Sequence, residues 1–123
     1  MDKCQEIKNE IFKIVYSCVC DVVPLPEKIK IDPTYTSRSL DGCTSESGKV
    51  YKNDNRWFSV YIKYGRYCVC MVRLEAETLA PIQVEIGNGN RENTKFNPYK
   101  IEDIYEIKNY SNQMQTHLRN MLD

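Results

Sequence analysis

Six cysteines and a single histidine are the residues of this chain best suited to making or breaking bonds. Cys18-Val-Cys20 and Cys68-Val-Cys70 offer four thiols in two pairs, and four thiolates can hold zinc tetrahedrally. Structural zinc sites space each pair by about two to four residues on a tight knuckle. Here one residue separates each pair. The first pair lies in a helical pattern, where residues two apart point to different sides. The second lies mid-strand, with no Gly-rich turn. The reading is packed, reduced thiols acting as small hydrophobes, with no metal and no cofactor. His117 is the one base a cysteine nucleophile could use. It stands among Gln113, Gln115, Thr116 and Asn120, a setting that predicts a polar helix surface. Asp41, Glu75 and Glu85 fall on or near strands and could hold magnesium for a nuclease-type reaction. None belongs to an acidic-x-Lys pair ending an apolar strand. Glu6-Ile-Lys8 and Glu106-Ile-Lys108 have that spacing, but both fall on helices. GxxxxGK and GxSxG loops are missing from the sequence. The chain is expected not to be an enzyme. A degenerate nuclease using Asp41, Glu75 and Glu85 is the catalytic alternative.

A different chemistry is suggested where aromatics and bases interleave. Arg56, Trp57, Tyr61, Lys63, Tyr64, Arg66 and Arg73 crowd one stretch. Single-stranded bases stack on exposed aromatics beside cations. Against this, Lys+Arg and Asp+Glu are each 17, a formal net charge of zero, while polyanion-binding proteins show a basic excess. The same aromatics would equally serve a face covered by a helix or by a second copy of the chain. The expected binding surface is Arg56, Trp57, Tyr61, Lys63, Arg66 and Arg73. The expected partner is a protein or a second copy, with nucleic acid as a further candidate.

These residues need a scaffold. At 123 residues the chain suits one domain, 1–123. Over residues 2–22, Cys4, Ile7, Ile11, Ile14, Cys18 and Val22 follow three- and four-residue steps and predict a helix. Pro24 and Pro26 stop it. Residues 27–32 alternate briefly and suggest a short strand. Residues 33–55 are rich in Ser, Thr, Asn, Asp and Gly and read as a loop, with short strands around 35–40 and 49–52. Next comes a hairpin signal, two period-two runs about a Gly-containing turn. A two-residue loop of Tyr64 and Gly65 would pair Ile62 with Tyr67, Val60 with Val69 and Phe58 with Met71. Those six would then share one apolar face, opposite Trp57, Tyr61, Cys68, Cys70 and Val72. A longer loop would shift the register and flip the faces. Ile82, Val84 and Ile86 mark a third strand. Asn97-Pro98 resembles an N-cap and first turn, opening a helix that runs to Leu122 with a break at Ser111. The predicted fold is α+β: an N-terminal helix, an antiparallel sheet of three to five strands with a central hairpin, and a C-terminal helix packed on the sheet.

Val72-Arg73-Leu74, followed by the strand at 81–86 and by Ile101-Glu102-Asp103-Ile104-Tyr105, resembles the C-terminal accessory region of predicted type IV and type I-like restriction endonucleases. Glu75 and Ala76 stand where that family has an aromatic after Arg-Leu. The family's nuclease centre lies in a separate upstream domain, so no catalytic residue carries over. The resemblance implies an accessory or interaction module of a bacterial or phage defence system, binding DNA or another subunit through its sheet. The alternative is a phage or mobile-element inhibitor that docks on a host defence protein. No apolar run approaches the ~20 residues of a membrane span, and 1–13 lacks a signal-peptide core. The expected location is therefore cytoplasmic, with no membrane association.

Overall fold

The computed structural model describes residues 3–32, 37–39 and 57–123, the 37–39 segment by its backbone alone. Arg56, Asp41, Cys43 and the strand expected at 49–52 lie outside the described residues.

Helix α1 runs Lys3–Val19 and buries Ile11, Ile14, Val15, Cys18 and Val19. The predicted stripe is correct, with Cys4, Ile7 and Val22 packed at its margin. A 3₁₀ turn at Cys20–Val22 ends it, and Pro24 and Pro26 withhold the amide donors that a longer helix would need. Leu25 finds another partner: its N–H donates to the buried Tyr64 hydroxyl at 3.2 Å.

Among the described residues six strands follow: β1 (Ile29–Ile31), β2 (Ser37–Ser39), β3 (Trp57–Tyr64), β4 (Tyr67–Glu75), β5 (Pro81–Gly87) and β6 (Phe96–Lys100). All pairings are antiparallel. β3 to β6 form a meander, while β1 and β2 share the free edge of β3 end to end. Helix α2 (Ser111–Leu122) packs on the same face of the sheet as α1, and the two helices touch. The result is a two-layer α+β sandwich. Its core includes Ile11, Val15, Phe58, Val60, Ile62, Val72, Leu74, Val84, Ile107 and Leu118.

The central hairpin differs from the two-residue loop placed at Tyr64 and Gly65. The turn is Gly65-Arg66, and Tyr64 pairs with Tyr67. Gly65 has φ +57°, which suits the first central residue of a II′ turn. A bulge then shifts the register beyond Lys63↔Cys68, so Ile62 faces Cys70, Val60 faces Val72 and Phe58 faces Leu74. Side chains directly opposite share a face. Phe58, Val60 and Ile62 therefore do face the core, as expected, but with Cys70, Val72 and Leu74 beside them. Met71 lies on the other face. Val69, the extra residue of the bulge, is fully buried. A second bulge leaves Ile82 unpaired with β4 and 41% exposed, while Val84 and Ile86 are buried.

The Asn97-Pro98 pair does not start a helix. It lies within β6, where Ile86 faces Asn97 and Glu85 faces Pro98. Proline is tolerated there because β6 is an edge strand among the described residues. The N-cap is Asp103, whose carboxylate accepts the Tyr105 N–H at 2.7 Å, and a 3₁₀ helix spans Ile104–Tyr110. Ser111, the break in the predicted stripe, is where 3₁₀ gives way to α. Its hydroxyl donates to the Lys108 carbonyl at 2.7 Å.

Candidate functional site

Among the described residues both helices lie on one face of the sheet. The register assigns the other face to Trp57, Ser59, Tyr61 and Lys63 from β3, Cys68, Met71, Arg73 and Glu75 from β4, and Gln83 and Glu85 from β5. Phe96, Pro98 and Lys100 of β6 continue it. Four expected binding residues, Trp57, Tyr61, Lys63 and Arg73, thus come together, each half-buried. Arg66, at the hairpin tip, borders a groove with Tyr61 and Lys63 but does not lie beside Trp57 and Arg73.

Arg73 is the centre of this face. Its Nε donates to Glu85 Oε2 at 2.8 Å, and its guanidinium lies 4.9 Å from the centre of the Trp57 ring. A charge-assisted bond and a cation–π contact pin one side chain from two sides. Lys63 Nζ lies 3.5 Å from the Asp32 carboxylate. The two cations in the middle of the face are therefore met by acids of the same chain. Arg66 Nη2 donates to the Tyr67 hydroxyl at 3.0 Å, which with Arg91 holds the Tyr67 phenol below its ordinary pKa.

Two of the carboxylates named for a nuclease centre, Glu75 and Glu85, have other work. Glu85 holds Arg73. Glu75 Oε2 accepts the N–H groups of Glu77 (3.0 Å) and Thr78 (2.6 Å) and so caps the β4–β5 turn. Among the described residues, no group of three or more His, Cys, Asp and Glu is arranged to hold a metal ion. Cys18 and Cys70 are buried. Cys68 lies on the outer side of β4, and burial pushes its thiol up to about 12. Burial lifts Cys70 well above the usual thiol value too.

His117 is not on a helix surface. It is 1% exposed and lies in the interior beside the first bulge. The Gly89 N–H donates to its Nδ1 at 2.9 Å, and its Nε2 lies 2.8 Å from the Cys68 carbonyl. An amide N–H can only donate, so Nδ1 is unprotonated and Nε2–H donates to the carbonyl. The bulge interrupts the ladder, and the imidazole pairs backbone groups from β4 and from the β5–β6 turn. Gly87 admits the ring: a Cβ there would lie 2.5 Å from both ring nitrogens and closer still to Cε1. Burial lowers the His117 pKa. The polar residues around it in the sequence concealed this role, because Gln113, Thr116 and Asn120 belong to the exposed flank of α2.

Phe96, Asp32, Lys28 and Lys30 escaped the sequence reading as site residues. Phe96 and Asp32 border a groove of about 440 Å³ with Tyr61, Lys63, Cys68 and Met71. Lys30 had one available signal, its place between Ile29 and Ile31 in an alternating run.

Together these features define a small α+β domain whose sheet is helix-covered on one side and carries an aromatic, charge-paired face on the other. Comparison with protein-family models, curated proteins and solved structures gives no match. No described helix is long and apolar enough to cross a membrane.

Proposed function

We propose that this chain is a non-enzymatic interaction module that binds a partner protein through the outer face of its sheet. The observation carrying this reading is the Trp57–Arg73–Glu85 arrangement. Trp, Tyr, Met and Arg are the residues enriched in protein interfaces, and Trp57, Tyr61, Met71 and Arg73 meet on this face. A polyanion would compete with Glu85 for Arg73. A net charge of zero supplies no long-range attraction for it. These two points favour a protein over a nucleic-acid strand. A bacterial or phage defence setting is proposed on the resemblance alone. Several residues that carry it serve the fold: Val72, Leu74, Ile101 and Ile104 are buried and Asp103 is a cap.

The test compares the wild-type chain with Trp57→Ala and Arg73→Glu as baits in lysate of the native host, each shown folded by circular dichroism. Support is one protein retained by the wild type, lost with both variants, and then bound when purified. Identical retention by all three baits overturns the surface assignment. A wild-type dimer by light scattering that either variant dissociates assigns the face to a second copy and overturns the partner reading.

A further inference from the structure

We propose that the hairpin end of the sheet holds a second site, which binds a nucleoside phosphate. β1 sets Lys30 directly opposite Lys63 of β3, so both side chains leave the same face. Like charges held opposite one another destabilise a sheet. Lysine on an edge strand wards off strand addition, but Lys63 is on β3, between β1 and β4, where no edge needs guarding. Lys28 joins them because the Gly65 N–H donates to its carbonyl at 3.3 Å. The three lysines line a groove of about 340 Å³ with Ile31, Asp32 and Gly65. Asp32 offsets one ammonium, at 3.5 Å from Lys63. Among the described residues of this lining, three lysines against one aspartate leave two positive charges in excess.

The larger groove of about 440 Å³ adjoins it, sharing Asp32 and Lys63, and is otherwise walled by Tyr61, Arg66, Cys68, Met71 and Phe96. Both volumes suit a small ligand. One end is cationic, and the other offers two aromatic rings and a thioether. A phosphate ester on a flat base meets both: its anion relieves the lysine repulsion and its ring lies against Tyr61, Met71 and Phe96. Inorganic phosphate alone would leave the second groove empty. An uncharged nucleoside would leave the repulsion in place. The site shares Tyr61 and Met71 with the partner face but does not use Trp57 or Arg73, which carry the protein-partner reading.

Calorimetric titration of the full chain at low ionic strength tests this, with AMP, adenosine and inorganic phosphate as probes. AMP should bind, and adenosine and phosphate should each bind at least about tenfold more weakly. Lys30→Glu replaces the repelling pair with an attracting one on an exposed strand. It should raise the melting temperature while weakening AMP at least about tenfold. A 5′-phosphorylated oligonucleotide that binds more tightly than AMP assigns the site to the end of a strand; equal or weaker binding assigns it to a free nucleotide. No AMP binding by the wild type, AMP binding no tighter than phosphate, or unchanged affinity in Lys30→Glu would each overturn the proposal.

Discussion

Gly87→Ala should be among the most damaging single-atom additions in this molecule, and His117 is the reason. The new Cβ would stand 2.5 Å from both imidazole nitrogens, a separation no van der Waals contact tolerates. Gly87 has no left-handed φ, so alanine is acceptable to the backbone and the clash alone is tested. Relief requires the ring to leave. That breaks the bonds to Gly89 N–H and the Cys68 carbonyl and leaves two part-buried backbone groups without their imidazole partner. Each stranded group costs about 1–3 kcal/mol, and forcing extra volume into a packed interior adds about 1–3 kcal/mol. The expected loss is roughly 3–9 kcal/mol, against a total of about 6–18 kcal/mol for a domain of this length. Thermal unfolding should move down by about 10 °C or more. His117→Ala opens the space, so Gly87→Ala in that background should change stability by less than about 1 kcal/mol. Urea unfolding of the four proteins of this cycle reads the coupling directly. If Gly87→Ala costs the same with and without the imidazole, the steric argument is wrong.

The same histidine gives a pH dependence of definite sign. Its folded pKa lies below the ordinary 6.5, so the unfolded chain binds the extra proton first as pH falls. Its contribution is complete above that value and is lost as pH drops through 6.5 toward the folded pKa. Urea midpoints at about pH 7.5 and 5.5 should therefore differ more in the wild type than in His117→Gln. Cys68, held at about 12, and Cys70, higher than its usual value, should resist a thiol reagent at about pH 8 until urea unfolds the chain. Prompt native-state labelling of either, read by mass spectrometry, would contradict the burial. Arg73→Met should cost about 1–2 kcal/mol, because it leaves Glu85 half-buried and unmatched. It should also shift Trp57 emission, since the guanidinium 4.9 Å from the ring is removed. Unchanged fluorescence would mean that the pair does not form in solution.

The elements most legible in the sequence were those with a sustained period. α1 and the strand content of β3, β4 and β5 followed from spacing alone. What could not be read was where one residue is added. The bulge at Val69 turned Cys70 inward and Met71 outward, reversing the face assigned to half of the hairpin, because period two carries no memory across an inserted residue. Asn97-Pro98 misled for a related reason. The local pattern matches a helix start, but pairing with β5 decides the conformation, and that partner is ten or so residues away in sequence. The candidate face was half legible. Trp57, Tyr61, Lys63 and Arg73 were found from residue type. Glu85, Asp32 and Phe96 were not, because their relation to the face exists only through strand register. His117 was least legible of all: a buried histidine whose partners are main-chain atoms leaves no trace in side-chain spacing.

That histidine also ties three segments into one unit of opening. The Gly89 amide bonds to a helix side chain rather than to another strand, so its hydrogen exchange can proceed only when α2 lets go of the imidazole or the turn pulls away. Its protection factor therefore gauges the seating of the C-terminal helix from a position on the opposite layer. The turn after β5 and the last helix should release together, as a single cooperative event rather than as two frayed ends.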